Sequence, residues 1–109
     1  MYIWSHVRTR LAQRRLNRFQ KRLKALEAEE KQLGYSLFAD HGDLQWYRRE
    51  LDNLSPGNAG KYHELNRSKE ELETLMEGKR RRLNRVTSIL KSMRESSSAK
   101  EDSEQSAAA

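Results

Sequence analysis

YHELNRSKEELETLMEGKRRRLNRVTSILKSM, residues 62–93, decides the fold. Steps of three and four residues alternately land on Tyr62, Leu65, Lys69, Leu72, Met76, Lys79, Leu83, Val86, Leu90 and Met93. All but the two lysines are apolar or aromatic, and lysine carries a long aliphatic stem. This is the 3.5-residue period of a helix packed along a narrow seam against another helix. The residues between are almost all polar. A helix with so thin an apolar stripe needs a partner to be stable.

Outward from this stretch, the chain before it reads as a second helix. Counting back from Leu33 through Glu30, Leu26, Leu23, Phe19, Leu16 and Ala12 gives the same spacing, weakening towards Thr9, Ser5 and Tyr2. Trp4, Val7 and Leu11 form a second apolar line there. The reading places a first helix at about residues 4–33, capped at its C-terminus by Gly34. Gly34, Asp40 and Gly42 predict a turn over 34–42. Asp43 would cap a short helix over about 43–54, with Leu44, Tyr47, Leu51 and Leu54 on one face. Ser55-Pro56-Gly57-Asn58-Ala59-Gly60 is the strongest break, and the long helix follows over about 59–94. Residues 95–109, rich in Ser, Ala and acid, are expected to be a disordered tail.

The expected fold class is therefore all-α: an antiparallel coiled-coil-like helical hairpin over residues 1–94 with a short connecting helix, able to dimerise into a four-helix bundle. Hydrophobic and charged residues are each 35% of the 109, so no thick globular core can form. Two registers are open. A turn at 34–42 sets residues 1–26 beside residues 79–94; a turn at 55–60 sets the C-terminal basic block beside about residues 21–36, near Glu27, Glu29 and Glu30.

Charge carries the functional signal. The net charge of +6 conceals two basic blocks. Residues 1–26 hold Arg8, Arg10, Arg14, Arg15, Arg18, Lys21, Arg22 and Lys24 with no acid, and residues 79–94 hold Lys79, Arg80, Arg81, Arg82, Arg85, Lys91 and Arg94 with none. The middle of the chain and the tail are acidic. The first register would gather both basic blocks at one end without neutralisation. Arg8, Arg15 and Arg22 recur every seven residues as one stripe, and guanidinium groups grip phosphates in a bidentate manner. Solvated helix faces usually interleave the two signs; 26 residues without an acid do not. The arrangement resembles the helical viral suppressors of RNA silencing, whose long basic helices lie along duplex RNA. The two basic blocks place the expected contacts with nucleic-acid phosphates at Arg8, Arg10, Arg14, Arg15, Arg18, Lys21, Arg22, Arg80, Arg81, Arg82 and Arg85.

The leading expectation is a non-enzymatic protein, expected as a homodimer, that binds nucleic acid, RNA before DNA, with little sequence preference. A solvated helix face is the plain alternative for either basic block, and Lys79–Arg82 also suits the C-terminal part of a helix. A second function class is a coiled-coil structural subunit or assembly factor of a larger complex, whose basic end meets an acidic protein partner. Trp46-Tyr47-Arg48-Arg49 resembles the Leu-Tyr-Arg signature of mitochondrial assembly factors, although its first residue differs and it lies mid-chain. Residues 1–24 are Arg-rich, amphipathic and acid-free, as mitochondrial targeting segments are, so the compartment stands open between cytoplasm and mitochondrial matrix. Trp46 and Tyr47 are expected in the core of the short helix. No cofactor is expected: His6, His41 and His63 are dispersed, there is no Cys, and no Gly-rich loop joins a strand to a helix. No apolar run approaches the ~18 residues of a membrane span.

Overall fold

The computed structural model is a helical hairpin of α1 (Tyr2–Asp52, 51 residues) and α2 (Ala59–Ala108, 50 residues). It describes the backbone of residues 2–108 and the side chains of residues 7–98; Trp4, His6 and the side chains from Ala99 onward lie outside that range. Among the described residues there is no strand.

The turn falls at the strongest break in the sequence. Pro56 presets its backbone angle and Gly57 takes φ +111°. The Asn58 N–H donates to the Ser55 carbonyl at 3.3 Å. Proline and then a positive-φ glycine at the two central positions are what a type II turn requires. The Tyr62 N–H donates to the Asn58 carbonyl at 3.0 Å, so Asn58 opens α2 as its N-cap residue.

The expected turn at 34–42 and the short helix over 43–54 are not formed: α1 runs unbroken through both. Gly34 does not cap a helix and Asp43 does not start one. The reason is the seam. Leu33, Leu37, Asp40, Leu44, Tyr47, Leu51 and Leu54 keep the three-and-four spacing across the supposed turn, and all seven are half-buried or buried. A glycine inside a helix costs about 1 kcal/mol relative to alanine. Burying one leucine gains roughly 1.5–3 kcal/mol, so the continuous stripe outweighs the two glycines. The second of the two registers is thus the one adopted.

The chain divides into two compact units: residues 30–86, and residues 1–29 with 87–109. In the first, α2 presents Leu65, Lys69, Leu72, Met76, Lys79, Leu83 and Val86 to the seam, with Met76 and Val86 buried, as is Leu44 of α1. Tyr62, the first position of that stripe, is exposed. Asp40 and Lys79 form a polar layer inside this seam. Lys79 Nζ donates to Asp40 Oδ2 at 2.5 Å and to Ser36 Oγ at 2.7 Å. Their side chains are only 14% and 23% exposed.

In the second unit Leu90 is buried, and Phe19, Leu23, Leu26, Ile89 and Met93 are half-buried. Arg94 pairs with Glu27 at 3.4 Å. Ala12 and Leu16, expected in the seam, are exposed. By the pairings of Asp40 with Lys79 and of Glu27 with Arg94, Leu16 and Ala12 lie level with about residues 104–108, where the sequence Glu-Gln-Ser-Ala-Ala offers no large apolar side chain. Nor does α2 end near Arg94. It continues to Ala108 through the segment read as a disordered tail, which contains no Pro or Gly and several good helix formers.

Leu90→Ala is expected to lower stability by about 2–5 kcal/mol, whereas Leu75→Ala, at an exposed position, stays within about 0.5 kcal/mol; urea titration followed by circular dichroism measures both. Asp40→Ala leaves a partly desolvated ammonium without its carboxylate and is expected to cost about 1–3 kcal/mol, less than the loss from a fully buried pair. Leucine at both Asp40 and Lys79 should recover that loss, and a double-mutant cycle reads the coupling.

Candidate nucleic-acid interface

Arg8, Arg10, Arg14, Arg15, Arg18, Lys21 and Arg22 all stand exposed on α1, in the unit formed by residues 1–29 and 87–109. Helix geometry sorts them. Arg8, Arg15 and Arg22 make one stripe with a repeat of about 10.5 Å along the axis. Arg14 and Lys21 make the next, Arg10 and Lys24 another, and Arg18 lies between. Arg8, Arg15 and Arg22 border the seam line of the half-buried Phe19 and Leu23, whereas Arg10, Arg14, Arg18 and Lys21 lie further round, away from it. Among the described residues, none of these seven bases forms an ion pair.

The exposed apolar side chains of this segment are Val7, Leu11 and Leu16. The face is therefore basic with scattered aliphatic residues and, from 7 to 26, no aromatic other than Phe19. Single-strand platforms need several aromatics among the bases. What the segment offers is positive charge at regular intervals, suited to a phosphate backbone.

The second basic block is a different environment. Arg80, Arg81, Arg82 and Arg85 are exposed but belong to the unit of residues 30–86. Arg81 pairs with Glu77 at 2.7 Å, one helical turn back. Arg82 is also partnered. Lys79 is engaged by Asp40, and Arg94 of the other unit by Glu27. Two basic blocks lying alongside each other without neutralisation required the turn at 34–42. With the turn at 53–58, the second block has carboxylates of both helices beside it. Arg80 also lines a cleft with Glu70, Glu73 and Glu77. The eleven residues expected to form one surface thus fall into two groups, and the acid-free group is the one on α1.

Two further expectations change. Trp46 is not a core residue but 49% exposed, its ring edge-on to Tyr47 with centroids 5.1 Å apart. Tyr35 and Phe38, assigned by sequence to a turn, stand 66% and 81% exposed on the outer face of α1. Reading the helix as continuous exposes a signal in the sequence itself: Gly34, Phe38, Gly42 and Trp46 are each four residues apart.

Among the described residues no group of three or more His, Cys, Asp or Glu could hold a metal ion, and no helix is long and apolar enough to cross a membrane. Comparison with protein-family models, with curated proteins and with solved structures found no match.

Proposed function

We propose that this chain is a non-enzymatic binding protein that grips nucleic-acid phosphates, duplex RNA before DNA, through the basic face of α1, and that it works as a homodimer. One observation carries the phosphate reading. Seven exposed bases between Arg8 and Arg22 have no ion-pair partner among the described residues, and the sequence from 1 to 26 contains no acid. Charges held this close together repel one another, and an anionic polymer relieves that repulsion while releasing its condensed counterions. Six of the seven are arginine, whose planar fork matches phosphate oxygens.

Arg80, Arg81, Arg82 and Arg85 contribute less, because the acids beside them already screen part of their charge. The contacts would be to backbone and not to base edges, so binding should depend little on sequence. The same geometry admits an acidic protein surface, as in a subunit or assembly factor of a larger complex. That reading is an outcome of the test below.

Binding of duplex RNA, followed by fluorescence anisotropy, should weaken steeply with salt. The log–log slope is expected near −0.9 per phosphate neutralised on B-form DNA, with the same trend on RNA. Gln at Arg8, Arg15 and Arg22 together should flatten the slope by roughly three phosphates and weaken binding about equally on unrelated sequences. Gln at Glu70, Glu71 and Glu73 should not weaken it. Wild-type affinity in the arginine variant, or no duplex binding at low salt, rejects the phosphate reading and favours an acidic protein partner.

A further inference from the structure

We infer that α1 carries a self-complementary docking ridge, Gly34–Phe38–Gly42–Trp46, on which a second copy of this chain packs in antiparallel orientation. The inference rests on the homodimer reading and is independent of the nucleic-acid one. It concerns the unit of residues 30–86 alone.

The glycines give the first argument. Gly34 and Gly42 lie inside a helix, where each is unfavourable relative to alanine. Neither has a positive φ, and a Cβ built on either meets nothing within 4 Å. Nothing inside the chain therefore requires glycine at these positions. A helix glycine without an internal reason is explained by something that approaches its backbone from outside, as small residues permit where helices cross closely.

The aromatics give the second. Phe38 and Trp46 alternate with the glycines at four-residue spacing, which is the spacing of one ridge on a helix surface. Tyr35 stands beside them. The three rings are 66%, 81% and 49% exposed for Tyr35, Phe38 and Trp46. At roughly 150–250 Å² each they expose about 400 Å², within the range of the largest apolar patch on an ordinary monomer and often functional.

The order of large and small decides the occupant. Reversed, the ridge reads Trp46–Gly42–Phe38–Gly34. Laid against the original about a two-fold axis level with Asp40, it sets Phe38 opposite Gly42 and Trp46 opposite Gly34. Phe38 and Trp46 each meet a glycine gap, twice over, as an isologous interface requires. Ridges of four-residue spacing interlock at a crossing angle near −50°. Between Lys31 and Arg49 the ridge and its nearest neighbours, Tyr35, Phe38, Ala39, Gly42, Gln45 and Trp46, carry no charge; the exposed Asp43 and Arg48 lie at its flanks, and Lys31 of one copy stands level with Arg49 of the other at its ends. This face suits neither phosphate nor an acidic surface. The rings of two copies bury about 800 Å², and the flanking side chains bring the total towards the ~1,200 Å² at which specific interfaces begin.

Sedimentation equilibrium of the full chain is expected to show a monomer–dimer equilibrium. Phe38→Glu should weaken it at least a hundredfold with helix content unchanged, since the side chain is almost wholly solvated in one chain. Alanine at both Gly34 and Gly42 separates docking from folding. It should raise the thermal midpoint of the dilute monomer, because alanine favours helix, yet weaken the dimer at least tenfold. The chain has no Cys, so Ala39→Cys introduces a single thiol near the axis, and a short bismaleimide should link two copies. A monomer at all concentrations overturns both the homodimer reading and this inference. A dimer unaffected by Phe38→Glu, or strengthened by the double alanine variant, leaves the homodimer and overturns this surface.

Discussion

The Asp40–Lys79 layer is the contact on which the register of the hairpin depends. A seam of leucines alone tolerates sliding by a heptad, because one leucine layer resembles the next. A carboxylate at one seam position and an ammonium at another do not. Sliding by seven residues would place Lys79 against an apolar layer and strand Asp40, exchanging a charge-assisted bond for two partly desolvated charges. Ser36 Oγ accepts a second hydrogen bond from Lys79 Nζ and completes the layer. A lone polar seam position that fixes alignment at some cost in stability is well attested in coiled coils.

Register in turn determines what each charged block has for neighbours. With Lys79 held at Asp40, the C-terminal basic block carries acids of its own helix and of α1 beside it. The N-terminal block keeps its bases outward without an ion pair among the described residues. The two blocks have similar composition and different environments. The proposed phosphate contacts rest on the first for that reason: counterion release is gained where no carboxylate among the described residues has already displaced the counterions.

The outer face of α1 follows from the same continuity. Once the helix passes through residues 34–42, its seam side and its outer side are both defined. Leu33, Leu37, Asp40 and Leu44 turn inward, and Tyr35, Phe38, Gly42 and Trp46 turn outward. The glycines that look like helix breakers in the sequence are instead gaps in a helical surface. With four buried hydrophobic side chains among the described residues, Leu44, Met76, Val86 and Leu90, the hairpin buries little by itself, so a second apolar face has more consequence here than on a globular domain.

The sequence by itself determined the α2 seam from Leu65 to Met93, the tight turn at Ser55–Asn58 and the acid-free character of residues 1–26. Each of these is local: a period, a Pro-Gly pair, a run of like charge. It also contained the α1 stripe from Leu33 to Leu54, but Gly34, Asp40 and Gly42 masked it, because intrinsic propensity counts what a residue costs its own helix and not what the facing helix supplies. Only the tertiary structure decided that Asp40 lies across from Lys79, a separation of 39 residues. That pairing makes a polar seam position satisfied instead of prohibitive, and no local rule reaches so far along the chain. The exposure of Leu16 has the same cause. Its spacing is right for a seam, and whether it packs depends on the far end of α2, whose sequence beyond Met93 holds no large apolar residue.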